Sequence, residues 1–155
     1  MPSSERTDHE TISPEVLALI SGRELLIEQL GYWPTFEDFE VLSILLERAV
    51  ISAAACDLRV TFFVFDLNKA PDDPERRQAS AEFLFENIDA LHIEGFDHQN
   101  PIIGLSIVPC EGEEHRFRVT WGGTGLQHEV SFTCGRVAVL RVVDLNPFRK
   151  PSLGL

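Results

Sequence analysis

A chain of 155 residues, 44% of them hydrophobic, is long enough for one domain with a real core and too apolar for a disordered segment. Its 25 acids against 13 bases, a net charge of −12, exclude the clustered Lys and Arg that nucleic acid or an anionic membrane surface would need. No apolar run approaches the roughly 18 residues of a membrane span, Met1 to Glu10 reads as polar lead and not as a secretory leader, and Cys56, Cys110 and Cys134 lack CxxC spacing, which suggests inert thiols in a reducing, cytoplasmic setting.

Residues 1–12 read as a flexible lead, 13–146 as the domain and 147–155 as a loose tail. Ser13-Pro14-Glu15 is a helix start: a hydroxyl cap, a proline in the first turn, then an acid at the positive end of the dipole. Val16, Leu19, Ile20, Leu26, Ile27 and Leu30 recur at helical spacing. Ser21-Gly22 interrupts them, and Ser21-x-x-Glu24 has the form of a capping box, so the stretch is one kinked helix or two short ones. Gly31 is a suitable stop. Residues 41–47 suit a strand, although the same residues allow a short helix. The run 58–65 is β-branched and aromatic throughout and is a clearer strand. After a proline-punctuated loop at 68–78, strands are predicted at 80–86, 88–94, 102–108, 115–121, 126–133 and 136–143. Short spacing with turn residues between favours an antiparallel meander over a parallel sheet. The expected fold class is α+β: an N-terminal helical region packed on a curved antiparallel sheet of six to eight strands.

The charge is unevenly spread. Residues 1–47 hold ten acids against Arg6 and Arg23, so the first third carries two-thirds of the excess. Such a field steers a basic protein or a cation, and it also serves plain solubility. Within that third lies Gly31-Tyr32-Trp33-Pro34-Thr35-Phe36-Glu37-Asp38-Phe39-Glu40-Val41, where the helical period gives way to the strand pattern. Phe36 and Phe39 suit the core. Tyr32 and Trp33 are equally suited to packing and to anchoring a partner, and Glu37, Asp38 and Glu40 form an acidic rim of the kind a basic partner needs.

The most catalytic-looking cluster is His92, Glu94, Asp97 and His98. On a strand His92 and Glu94 share a face, with Asp97 and His98 in the turn beyond, so a metal-dependent hydrolase is an alternative reading. The spacing matches no strong metal motif, and a solvent-facing strand edge explains it as well. There is no Gly-x-Ser-x-Gly elbow, Cys110 near His115 is a lone pairing, and Gly122-Gly123-Thr124-Gly125 lacks the ending of a phosphate loop and reads as a hairpin turn. No catalytic residue and no cofactor are assigned.

The segment from Gly31 through Glu40-Val41-Leu42-Ser43-Ile44 resembles the Gly-x-Trp-Pro-Ser-Phe-His-Asp-Ala-Glu-Val segment of the immunity protein 50 family. Leu91-His92-Ile93-Glu94-Gly95-Phe96-Asp97-His98-Gln99-Asn100 is similar to its Gly-Phe-Asn-x-Gln-Asn turn, and Val130-Ser131-Phe132-Thr133-Cys134 to a late strand. The resemblance covers roughly residues 25–145. It implies a cytoplasmic inhibitor that binds and neutralises a bacterial polymorphic toxin, and no enzyme. This chain has Glu37 and Phe39 where the family tends to have histidine and alanine, which adds a negative charge to the rim. The expected partner is a basic toxin or effector domain, such as a nuclease, met through Tyr32, Trp33, Glu37, Asp38 and Glu40. A homodimer paired through an open sheet edge is a further alternative.

Overall fold

Alternation along the strands decides the architecture. In Cys56–Phe65 (β2) Leu58, Val60, Phe62 and Val64 are buried, and in Gln78–Glu86 (β3) Ala79, Ala81, Phe83 and Phe85 are buried. Period-2 burial of β-branched and aromatic side chains puts one face of each strand into a core. The computed structural model of the chain describes residues 12–48, 56–112, 116–122 and 128–145. Those residues contain two short helices, Pro14–Leu17 (α1) and Arg23–Leu30 (α2), and eight strands. The other strands are Glu40–Arg48 (β1), Asp89–Glu94 (β4), Leu105–Pro109 (β5), Phe117–Trp121 (β6), Glu129–Cys134 (β7) and Arg136–Asp144 (β8).

The strands form two antiparallel sheets of four, in the orders β1-β2-β3-β8 and β4-β7-β6-β5. Their inner faces meet: Phe62 lies 5.5 Å from Trp121, and Phe85 lies 5.0 Å from Phe132, ring centroid to centroid. One two-stranded ribbon runs through both sheets. Strand β3 passes into β4 through Asn87 and Ile88, and β7 passes into β8 through Gly135 alone. The strands are paired on both sides of the bend, Glu86 with Arg136 before it and Asp89 with Thr133 after it. Asn87 (φ 55°) and Ala90 (φ 54°) supply the change of direction, and the Gly135 N–H donates to the Glu86 carbonyl at 2.9 Å. The result is a sandwich folded from a bent ribbon, in which a sharp corner replaces a loop.

The expected α+β class is therefore corrected. The strand segments predicted from 58 onward are present with shifted ends, and 40–48 is a strand, but they do not make one sheet under a helical layer. Helix α2 has eight residues and buries only Leu26 and Leu30. That is too little apolar surface to cover a sheet, so the second sheet does most of the covering. The helical region sits instead along β8, where Ser21 bridges Ala138. The Ser21 N–H donates to the Val137 carbonyl (3.2 Å) and the Val139 N–H to the Ser21 carbonyl (2.7 Å). The expected Ser21 capping box is absent, because Ser21 is spent on β8 and Gly22 (φ 75°) begins α2 with no side-chain cap. Ser13 does cap α1, and Gly31 (φ 90°) does end α2, its N–H donating to the Ile27 carbonyl. Arg77 reaches across to the carbonyls of Glu28 and Gln29 and satisfies two more orphan acceptors of that helix end.

The lead expected over 1–12 lies outside the described residues apart from Ile12, and so does the tail over 147–155. Among the described residues no helix is long and apolar enough to cross a membrane.

Candidate functional site

The segment after Gly31 is held from below by aromatics. Phe36 is buried, with ring centroids 5.2 Å from Phe39, 5.5 Å from Phe62 and 5.7 Å from Phe83. Its φ of 67° is unusual for a bulky residue and costs about 1–3 kcal/mol, which the aromatic nest must offset. Asp38 is also left-handed, at φ 63°. Two such residues around Glu37 fold the chain into a tight turn, and this turn puts Glu37 and Asp38 in solvent while Phe36 and Phe39 point inward. The Glu37 N–H faces the Thr35 hydroxyl at 3.4 Å, and the Phe39 N–H donates to the Phe36 carbonyl at 3.3 Å.

A second segment pins this turn from the side. The Asp38 N–H donates to the Ile102 carbonyl, the Ile102 N–H to the Phe39 carbonyl, and the Val41 N–H to the Asn100 carbonyl. Glu40 thus pairs with Pro101, and residues 100–102 add a short strip to the outer edge of β1. Asn100 is the hub. It is 2% exposed, its Nδ2 donates to the carbonyls of Val41 (3.2 Å) and Asp97 (2.7 Å), and its Oδ1 accepts from the Asp97 N–H (2.7 Å). Its own N–H donates to the Glu40 carboxylate at 3.2 Å. The segments 31–41 and 91–102, far apart in sequence, are thereby joined at one place.

The five residues predicted to bind a partner divide by exposure. The Tyr32 hydroxyl donates to Asp66 Oδ1 at 2.9 Å and accepts from the Leu67 N–H, and its pKa is raised, first by burial and then by the Asp66 carboxylate. Trp33 is half-buried and packs on Phe36 and Phe83. The Trp33 ring therefore serves the packing under the turn, and the Tyr32 hydroxyl ties the preceding residues to Asp66 and Leu67. Glu37 and Asp38 are exposed, and Glu40 is half-buried against Asn100. Asp97 adds a further exposed carboxylate on the pinning segment, held below the usual range by the His98 N–H and then by the His98 ring at 2.9 Å. Exposed apolar side chains flank these strips in sequence: Leu42 after Val41, Ile103 after Ile102, and Phe96 before Asp97. Anionic groups beside small apolar patches suit a protein surface with basic and apolar features.

The four candidates His92, Glu94, Asp97 and His98 split into pairs. His92 Nε2 is 3.3 Å from Glu94 Oε1, and Asp97 pairs with His98. Among the described residues one metal-compatible group forms, and it joins His92 and Glu94 to Glu129 and leaves out Asp97 and His98. Behind it His128 is buried. Its Nδ1 lies 3.0 Å from the Glu94 carbonyl and its Nε2 accepts from Trp121 Nε1 at 3.2 Å, so the ring is neutral with the proton on Nδ1. Burial lowers its pKa.

Sequence reasoning passed over Asn100 as a hub, and over His128 and Glu129. Asn100-Pro101 is a turn signal, but only the fold shows that the amide is buried. Glu129 falls on the outer face by alternation, yet its position opposite Glu94 depends on the β4–β7 register, which a single sequence does not carry. Compared with known proteins, the chain matches no family model, no curated protein and no solved structure.

Proposed function

We propose that this chain is a cytoplasmic immunity-type protein that neutralises a basic bacterial toxin domain by direct binding. The observation that carries the reading is the turn at Glu37-Asp38, strained at Phe36 and Asp38, locked by Asn100, and projecting two carboxylates from a rigid base. Pre-organised charge lowers the cost of ordering on binding and raises the encounter rate. An overall charge of −12 works in the same direction. Glu40 acts through Asn100 by holding the base of the turn, Trp33 supports it from beneath through Phe36, and Tyr32 fixes the preceding residues to Asp66. The test is protection of cells that express a toxin domain encoded beside this gene. The paired substitution Glu37→Gln with Asp38→Asn removes both charges, and Asn tolerates the left-handed backbone at 38. Loss of protection with an unchanged fold supports the reading. Full protection by the variant removes the acidic turn from it.

A second reading, a homodimer, is favoured by one feature. Beyond Val41 the outer edge of β1 has no strand beside it among the described residues, and Leu42, Leu45 and Leu46 are 46%, 52% and 51% exposed. Natural proteins usually blunt such an edge. Sedimentation of wild type and Leu45→Lys over a concentration series separates the cases: a dimer dissociated by the lysine supports this reading, and a monomer throughout ends it.

A further inference from the structure

We propose that His92, Glu94 and Glu129 form a binding site for a first-row divalent cation of the zinc class, which clamps the edge strand β4 onto β7. His92 and Glu94 are two apart on β4 and share its outer face. Glu129 stands directly across the ladder from Glu94, while His92 faces Ser131. Donor atoms of the three side chains lie within 4.8 Å of one another, and His92 Nε2 and Glu94 Oε1 are already 3.3 Å apart. Tetrahedral zinc, with bonds of about 2.0–2.1 Å, needs donors about 3.3 Å apart, a spacing the His92–Glu94 pair already has and the group with Glu129 approaches. One imidazole and two carboxylates suit zinc or manganese better than the all-oxygen shells of calcium.

The placement is unfavourable without a cation. Two carboxylates directly opposed on neighbouring strands repel each other. A dication turns the same placement into attraction. The backbone under the group is firm, because His128 precedes Glu129, contacts the Glu94 carbonyl and accepts from Trp121 in the core. Strand β4 itself is mostly exposed and its pairing is irregular between Asp89 and His92. A clamp at its far end would hold an edge that packing holds weakly.

The experiment titrates zinc chloride into the full chain after chelator treatment, by calorimetry and by thermal unfolding. One saturable site per chain and a rise in Tm are expected. Glu129→Gln and His92→Ala each weaken binding by about tenfold or more, and His98→Ala leaves it unchanged. In metal-free buffer Glu129→Gln is as stable as wild type or more so, since it removes the repulsion, and it loses only the zinc-dependent increment. Absence of saturable binding up to about 1 mM zinc overturns the proposal. So does binding that survives Glu129→Gln, or that disappears with His98→Ala. None of these outcomes depends on the toxin reading.

Discussion

Replacing Asn100 by alanine should be among the most damaging single changes in the chain, although the residue is polar and belongs to a connection between strands. The side chain makes three hydrogen bonds, to Val41 O, Asp97 O and the Asp97 N–H, while the backbone pairing of residue 100 with Val41 survives the substitution. Each lost bond is worth about 1 kcal/mol net, and the Val41 carbonyl, deprived of a buried donor, adds up to about 1 kcal/mol. The total is about 3–4 kcal/mol. That is a large part of a domain stability of about 5–15 kcal/mol. With a urea m-value of about 2 kcal/mol per molar, the midpoint should fall by about 1.5–2 M. Urea unfolding followed by tryptophan fluorescence measures it, with hydrogen exchange of the Asp97 amide as the local readout. Asn100→Asp keeps the acceptor but loses both donors and brings a charge against two carbonyls, so it should be at least as destabilising at neutral pH. A midpoint within about 0.3 M of wild type for Asn100→Ala would refute the assignment of Asn100 as the hub.

Further outcomes follow from other parts of the fold. Gly22→Ala puts a Cβ against the Val139 carbonyl oxygen at a left-handed backbone, and should cost more than the about 1–2 kcal/mol of the conformation alone, read by the same urea assay. His128 has a folded pKa below its unfolded value, so the folded chain binds fewer protons between the two. Its contribution is present above about pH 6.5 and is lost as pH falls through the folded value, and His128→Leu should flatten that part of the stability–pH curve. Cys134 is buried and its thiol is pushed up to about 12, so alkylation of the native chain followed by mass should reach Cys134 last, after Cys56 and Cys110.

Local chemistry was legible where a residue acts on its own neighbours. Ser13 with Pro14 starts α1, Gly31 ends α2, and the β-branched runs are strands because each of these effects is settled within a few residues. The division into two sheets was not legible. Strand β3 bends into β4 over two residues and β7 into β8 over one, so no loop marks the passage, and alternation is the same whether the facing layer is a helix or a sheet. Ser21 illustrates a tertiary override: its hydroxyl fits a capping box, but its backbone is taken by β8 and its Oγ accepts from Arg136. In the candidate site the acids at 37 and 38 were found from composition. Their support was not, because the left-handed Phe36 and the buried amide of Asn100 have meaning only once residues about sixty positions apart are joined.

The same join defines what matters most in the functional account. The proposal of a basic toxin partner is tested most directly by the association rate of the purified chain with such a domain, taken from low to high salt for wild type and for the Glu37→Gln, Asp38→Asn pair. The account predicts a fast wild-type rate that falls steeply with salt, and a variant that is slower at low salt with a shallower slope. Equal rates and equal slopes for the two proteins would contradict it.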